Sequence, residues 1–98
     1  MTPRLVFRPE ARQEALEAEA WYEERAPGLG LEFTRALGAA LAAVQRTPEA
    51  FPRVSGDVRR AVLRRFPYGI VFAQEEDDLV VLAVHHHRRD PRRWLRRA

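Results

Sequence analysis

The sequence predicts an α+β fold: an N-terminal strand, a helical hairpin packed on a small antiparallel sheet, and a short basic C-terminal helix. In the first half, long stretches without glycine or proline are dominated by alanine, glutamate, leucine and arginine, which favour helix. In the second half, short apolar runs of strand length alternate with turn residues. A chain of 98 residues is of single-domain size, so we assign residues 1–98 to one domain.

The first half is predicted to contain one strand and two helices. Leu5–Phe7 is a β-type run, and the proline that follows is well suited to the first position of a helix. The first helix is predicted over residues 10–25, and residues 26–28 (Ala-Pro-Gly) end it. The second is predicted over residues 29–46, and Thr47-Pro48 stops it. Helices joined by so short a connection form an antiparallel hairpin.

The second half is predicted to contain three strands and a last helix, after a loop over residues 47–56. The strands are predicted over residues 58–65, 68–73 and 79–84. The acidic run 75–78 fits a hairpin turn, and the third strand is apolar on both faces, as a strand inside a sheet is. Asp90-Pro91 is a typical helix start and predicts a basic helix over residues 92–97.

The composition excludes several classes of chemistry. The absence of cysteine rules out disulfide scaffolds, thiol nucleophiles, zinc fingers and iron–sulfur clusters. All 17 basic residues are arginine, which removes lysine-based catalysis and a lysine phosphate clamp. Ser55, the only serine, lies in a predicted turn, which argues against a serine hydrolase. Because no signal peptide or membrane span is visible, we expect a cytoplasmic protein with no membrane contact.

The charge is divided unevenly between the two halves. Residues 1–50 hold six arginines and eight glutamates, a net charge of −2, whereas residues 51–98 hold eleven arginines and six acidic residues, a net charge of +5. The second half is therefore expected to present a basic surface to RNA, DNA or an acidic protein segment.

The candidates for target binding come from two arginine clusters and two aromatic residues, and they are Arg59, Arg60, Arg64, Arg65, Tyr68, Arg88, Arg89, Arg92, Arg93 and Trp94. The first cluster is Arg59, Arg60, Arg64 and Arg65, and the second is Arg88, Arg89, Arg92, Arg93, Arg96 and Arg97. If the strands share one sheet, both clusters could flank a surface that also carries Tyr68 and Trp94. Guanidinium groups suit phosphates and carboxylates equally well, so the residues alone leave nucleic acid and protein targets open.

Three consecutive histidines, His85, His86 and His87, follow directly on the third predicted strand. Side chains alternate along a strand, so His85 and His87 share one face and His86 points to the other. A metal site would need a further ligand and only Asp90 is near in sequence, so we predict neither a metal nor another cofactor. A histidine here is a candidate general acid or base, although polar residues also commonly mark the exit of a strand from the core.

Three segments, in order along the chain, resemble the RelE/ParE superfamily of bacterial toxins. They are Gly28–Phe33 after Trp21-Tyr22, the run Val58–Phe72, and the ending Val84–Trp94, which is similar to the ParE-like branch in particular. The resemblance covers nearly the whole chain. It implies the toxin of a type II toxin–antitoxin module, held in a hetero-oligomer with a small cognate antitoxin that neutralises it.

The superfamily divides by mechanism. RelE-like members are mRNA endonucleases that act on the ribosome, and Arg64 and Arg88 match arginine positions of that branch. Its C-terminal tyrosine would fall near Arg92, however, and its lysines have no counterpart in this chain. ParE-like members lack the nuclease residues and inhibit DNA gyrase by binding.

The resemblance therefore implies a growth-inhibiting toxin that binds DNA gyrase. The alternatives are a ribosome-dependent mRNA endonuclease, with Arg64, His85, His87 and Arg88 at its site, and a non-toxic protein that only binds antitoxin and co-represses its operon.

Overall fold

A five-stranded mixed sheet forms the body of the protein, and two helices pack on one of its faces. The computed structural model describes residues 2–97. In chain order the elements are β1 (Arg4–Phe7), α1 (Pro9–Arg25), α2 (Leu29–Arg46), a 3₁₀ turn (Pro48–Ala50), β2 (Arg53–Ser55), β3 (Val58–Val62), β4 (Tyr68–Glu75), β5 (Asp78–His86) and α3 (Arg92–Leu95). The α+β fold, the helical hairpin and the C-terminal helix predicted from the sequence are confirmed.

The sheet differs from the prediction in the direction of its first strand. The strand order is β1-β5-β4-β3-β2, and strands β2 to β5 are antiparallel to their neighbours. Strand β1 instead runs parallel to the first half of β5, from Arg4 opposite Asp78 to Phe7 opposite Val81. Parallel pairing needs a long crossover, which the whole chain between β1 and β5 supplies.

Several boundaries also differ from the prediction. The strands predicted over residues 68–73 and 79–84 are longer, Tyr68–Glu75 and Asp78–His86, so the turn predicted over residues 75–78 comprises only residues 76 and 77. The predicted loop 47–56 contains the short edge strand β2. The strand predicted to reach residue 65 ends at Val62, and Arg65 adopts a left-handed conformation with a φ of 68°. Helix α3 ends at Leu95, before the predicted end at residue 97.

The tip of the helical hairpin is fixed by Glu23 of α1. Its carboxylate accepts hydrogen bonds from the backbone N–H of Gly28, at 3.0 and 3.1 Å, and of Gly30, at 3.0 Å. A Cβ atom on Gly30 would lie 2.8 Å from the carbonyl oxygen of Glu19, so only glycine permits this close approach. The hairpin thereby holds the C-terminal end of α1 rigidly above the sheet.

The sheet is buried on both faces by two separate sets of apolar side chains. The core between the helices and the sheet includes Ala11, Ala18, Phe33, Leu37, Val44, Ile70, Phe72, Leu79, Val81 and Val84. The outer-face core consists of Val58, Val71, Val80, Leu82, Ala83 and Trp94. Within residues 2–97, no helix is long and apolar enough to cross a membrane.

A bulge in β5 decides which face its last residues occupy. Val71 pairs with Ala83 and Phe72 pairs with Val81, so β5 has one residue more than β4 at this point. Leu82 and Ala83 both join the outer-face core as a result, and Val84 returns to the helix side. The bulge therefore determines toward which face of the sheet the histidines that follow point.

Candidate binding cleft

A cleft of about 930 Å³ opens between α1 and the sheet, where β4 begins and β5 ends. We call it the α1 cleft. Helix α1 contributes acidic and aromatic residues, the strand ends contribute Tyr68 and two histidines, and the segment after β5 contributes arginines. Its lining residues are Glu14, Glu17, Ala18, Trp21, Tyr22, Pro67, Tyr68, Val84, His85, His86, Arg88, Arg89 and Arg93.

The aromatic rings of the cleft form a continuous cluster. Tyr22 stacks on the buried Phe33 with ring centroids 5.4 Å apart, and Tyr68 meets the same ring edge-on at 5.2 Å. Trp21 lies 5.1 Å from Tyr22, and His86 lies 5.0 Å from Tyr68. Burial raises the pKa of both tyrosines, so their hydroxyl groups are neutral near neutral pH. The rings offer an apolar surface with neutral polar edges.

His86 faces the cleft in a defined hydrogen-bonding state. Its Nδ1 accepts a hydrogen bond from the backbone N–H of Arg88 at 3.0 Å, which places the proton of the neutral ring on Nε2. Burial first, and then the positive charge of Arg89, lower the pKa of His86. The ring is therefore a neutral donor toward the cleft near neutral pH.

His85 and His87 have different surroundings. His85 is only 7% exposed. Its Nε2 donates a hydrogen bond to the carbonyl oxygen of Arg89 at 3.0 Å. Burial is the main cause of the lowered pKa of His85. His87 is exposed and lies outside the α1 cleft. His85 lies against Trp94 on the outer face, as the predicted alternation requires, but it also lines the α1 cleft beside His86. His87 follows the end of β5. The hydrogen bond of His85 fixes the turn that carries Arg89.

Three arginines of the second cluster line the α1 cleft without an ion-pair partner in residues 2–97: Arg88, Arg89 and Arg93. Arg92 is instead bound to Asp90 at 2.7 Å. Guanidinium groups that are not paired within the chain keep their donors available for an anionic ligand.

The first arginine cluster lies outside the α1 cleft. The Arg59 guanidinium donates to the backbone carbonyls of Glu49 and Phe51, which holds the segment before β2. The side chain of Arg60 lies across Gly69, so that a Cβ atom on Gly69 would be 3.1 Å from it. The Nε of Arg60 is buried and has no hydrogen-bond partner in residues 2–97.

Arg64 and Arg65, the rest of that cluster, line a separate groove beside α2, together with Glu32 and Arg35. Arg65 forms an exposed ion pair with Glu32 at 3.7 Å. The structure thus brings Arg88, Arg89 and Arg93 of the second cluster together with Tyr68 in one cleft, and it leaves the first cluster elsewhere.

The two tryptophans lie in different environments. Trp94, a sequence-predicted target-binding residue, is 4% exposed and packs in the outer-face core, where it anchors α3. Trp21 is 49% exposed at the rim of the cleft, with the Arg25 guanidinium 4.1 Å from its ring centroid. The sequence analysis does not place Trp21 among the target-binding residues; the available signal is a tryptophan in a helix that is rich in glutamate.

A partly buried ion pair joins Glu14, which lines the cleft, to Arg97. The guanidinium of Arg97 contacts both carboxylate oxygens of Glu14, at 3.0 and 3.1 Å, with side chains 14% and 11% exposed. Arg97 also donates to the carbonyl of Leu82 at 2.9 Å, and Glu14 accepts from the backbone N–H of Val84 at 3.1 Å. We call this arrangement the Glu14–Arg97 clasp. Because its partners are 83 residues apart, no local sequence pattern indicates it.

The clasp occupies the edge of β5 that β1 leaves uncovered. Strand β1 pairs with β5 only as far as Val81, so the polar backbone atoms of Leu82 and Val84 have no neighbouring strand on that side. Side chains from α1 and the C-terminal segment satisfy them instead, as buried backbone groups require. The clasp thereby joins α1, β5 and the arginine-bearing segment.

The comparisons with known proteins agree on one family. The family model described as "ParE toxin of type II toxin-antitoxin system, parDE" matches residues 5–91. No curated protein matches the chain. Among solved structures, a chain of the chromosomal ParDE toxin–antitoxin system from P. aeruginosa has a similar fold, with a TM-score of 0.76, 16% identity, and coverage of 87% of this chain and 96% of that one. With a family match over most of its length and this fold, the chain belongs to the ParE toxins of type II toxin–antitoxin systems.

Proposed function

We propose that this ParE-family toxin arrests growth by binding DNA gyrase through the α1 cleft, and that a cognate antitoxin neutralises it in a hetero-oligomer. Family membership supports the toxin role. The observation that supports binding as the mechanism is the convergence of Arg88, Arg89 and Arg93 beside an aromatic cluster, with no ion-pair partner in the described chain.

The arrangement supports the endonuclease alternative less well. Cleavage at a ribose 2′-hydroxyl needs a base, a charge-stabilising group and an acid around one phosphate. Arg64 lines a different groove from Arg88, and His87 lies outside the cleft that contains Arg88. The Nε2 of His85 is engaged with a backbone carbonyl. These groups do not surround a common point, whereas a binding surface needs no such convergence.

The helical hairpin supports a separate place for the antitoxin. Leu16 of α1 and Leu31 of α2 are both more than half exposed, at 54% and 53%. Large apolar side chains on the outside of a hairpin are suited to the apolar side of a partner segment. In this proposal the antitoxin wraps the hairpin and the body of the sheet.

Induced expression without the antitoxin gene tests the toxin role. We expect growth arrest, relieved by co-expression of the antitoxin from the adjoining reading frame. Healthy growth at verified soluble expression would contradict the toxin proposal and favour the co-repressor alternative.

A supercoiling assay with purified gyrase tests the target. We expect the purified toxin to inhibit supercoiling, and the toxin–antitoxin complex to leave gyrase active. Cleavage of mRNA on purified ribosomes, without any effect on gyrase, would replace this target with the endonuclease alternative.

A further inference from the structure

We propose that the α1 cleft holds an extended, carboxylate-bearing segment of the target protein, and that the Glu14–Arg97 clasp sets this charge preference. The inference rests on the proposed function, because it takes the cleft as the surface that meets the target. It adds the chemical class of the bound group and a positioning role for Arg97, whose pairing with Glu14 the sequence did not reveal.

The basic side of the cleft defines where a carboxylate binds. Arg88, Arg89 and Arg93 lie in or just before the short C-terminal helix and have no ion-pair partner in residues 2–97. Arginine binds a carboxylate through two parallel hydrogen bonds, and a low-dielectric aromatic surface strengthens such pairs. His86, neutral near neutral pH, adds a further donor at the same end.

The other side of the cleft disfavours a nucleic acid. Helix α1 carries six glutamates in its 17 residues, and Glu17 lines the cleft opposite the arginines. A polyanion in the cleft would meet the charge of Glu17, which no ion pair within residues 2–97 compensates. A protein segment can place an acidic residue on the arginines and a neutral or basic residue beside Glu17. The pattern of charge therefore fits a protein better than RNA or DNA.

The size and floor of the cleft fit a short extended segment. A volume of about 930 Å³ accommodates a few side chains rather than a whole helix. The rings of Tyr22 and Tyr68 supply the apolar floor, and the half-exposed Trp21 supplies the rim. An apolar side chain next to the carboxylate would lie on this floor.

The clasp neutralises Glu14, one of the two carboxylates that line the cleft. Glu14 lines the cleft, and both of its oxygens are bound by Arg97, so its charge is neutralised where it stands. Without Arg97, the carboxylate of Glu14, which has little contact with solvent, would carry an uncompensated charge and repel the acidic group of the ligand. Arg97 also ties the segment that carries Arg93 to α1 and β5.

Photo-crosslinking to gyrase tests the occupant. Trp21→p-benzoylphenylalanine places the reactive group at the rim of the cleft, and Leu31→p-benzoylphenylalanine is the matched exposed control on α2. With the gyrase holoenzyme and DNA present, we expect crosslinks from position 21 to a gyrase peptide containing aspartate or glutamate, and none from position 31.

Several results would overturn the inference. Crosslinks from position 21 to DNA, or to added antitoxin but not to gyrase, would show another occupant. Inhibition of gyrase without any crosslink from position 21 would place the target elsewhere. If the unsubstituted toxin does not inhibit gyrase, the proposed target fails, and this inference fails with it.

A second experiment separates the charge effect from a merely structural one. We expect Arg97→Ala to weaken gyrase inhibition about tenfold, because the Glu14 charge is exposed to the ligand. The double variant Glu14→Gln/Arg97→Ala should recover most of the loss, although the clasp is equally broken. Arg96→Ala, on the neighbouring residue outside the cleft, should inhibit like the unsubstituted protein.

The double variant decides the outcome. If it inhibits as weakly as Arg97→Ala, the clasp acts only through structure and the charge proposal is wrong. If Arg97→Ala does not fold, Glu14→Gln alone serves, since glutamine still accepts from the Val84 N–H while Arg97 becomes free. Inhibition equal to or stronger than that of the unsubstituted protein is then expected, and a tenfold loss would overturn the proposal.

Discussion

The first arginine cluster lies in β3 and the loop after it, and the second lies after β5 and around α3; the two clusters have different surroundings. In the first cluster, Arg59 is bound to backbone carbonyls and Arg65 to a carboxylate. In the second, Arg88, Arg89 and Arg93 line a cleft with no ion pair in residues 2–97. Charge density alone therefore does not distinguish the two clusters. The second is distinguished by three arginines that line a cleft without an ion pair, while Arg92 and Arg97 of the same cluster are paired with carboxylates.

The largest expected effect concerns what holds the second cluster in place. Trp94 anchors α3 in the outer-face core, and Trp94→Ala should lower the free energy of unfolding by about 3–5 kcal/mol, because a large buried side chain leaves a cavity. Trp21→Ala, at the half-exposed rim, should lower it by less than about 1 kcal/mol. Urea unfolding followed by far-UV circular dichroism measures both. Equal losses would contradict the assignment of Trp94 as the anchor.

The next prediction compares one arginine from each cluster. Arg59→Ala should lower the free energy of unfolding by about 1–2 kcal/mol, because two backbone carbonyls lose a charged donor, and should leave gyrase inhibition unchanged. Arg89→Ala should change stability by less than about 0.5 kcal/mol and weaken gyrase inhibition about tenfold. Urea unfolding and supercoiling assays on the same preparations separate the two effects. The reverse pattern would show that the first cluster meets the target.

The sequence predicts the helices and strands of this fold better than it predicts which strands pair with each other. Helix limits follow from Pro9, Ala26-Pro27-Gly28 and Thr47-Pro48, because the physical cause of each boundary is local. The place of β1 beside β5 depends on pairing across most of the chain, which no local pattern specifies. The short exposed strand β2 has little apolar alternation to indicate it.

The same distinction applies to the candidate site. Arg88, Arg89, Arg93 and Tyr68 were selected from the sequence because basic and aromatic residues suit anionic ligands, and they do line one cleft. The Glu14–Arg97 clasp could not be predicted, since it depends on the unequal lengths of β1 and β5. Whether a tryptophan is core or surface likewise depends on tertiary packing.

A smaller effect on stability is expected from pH, and it acts through His85, which holds the backbone of Arg89 in the second cluster. His85 donates to the Arg89 carbonyl, and its pKa in the folded protein is lowered below the ordinary 6.5, mainly by burial; Glu14, Arg93 and His87 have smaller influences. The unfolded state therefore binds more protons just below pH 6.5. The stabilising effect of the neutral ring is complete above that pH and is lost as the pH falls toward the folded-state pKa.

Urea unfolding at about pH 7.5 and about pH 5.5 measures this dependence. We expect lower stability at the acidic pH, and a smaller decrease for His85→Gln, which keeps an N–H donor for the Arg89 carbonyl but does not titrate. An unchanged decrease in this variant would show that other groups cause the pH dependence.

The smallest expected effect is at the exposed end of the first cluster. The ion pair between Arg65 and Glu32 spans 3.7 Å with side chains 73% and 50% exposed, so Arg65→Ala should change the free energy of unfolding by less than about 0.5 kcal/mol. Because Arg65 lines the groove beside α2 and not the α1 cleft, gyrase inhibition should stay within about twofold of the unsubstituted protein. Arg89→Ala, assayed in parallel, is the positive control. A tenfold loss of inhibition on Arg65→Ala would show that the target spans both clusters, and the functional difference between them would then disappear.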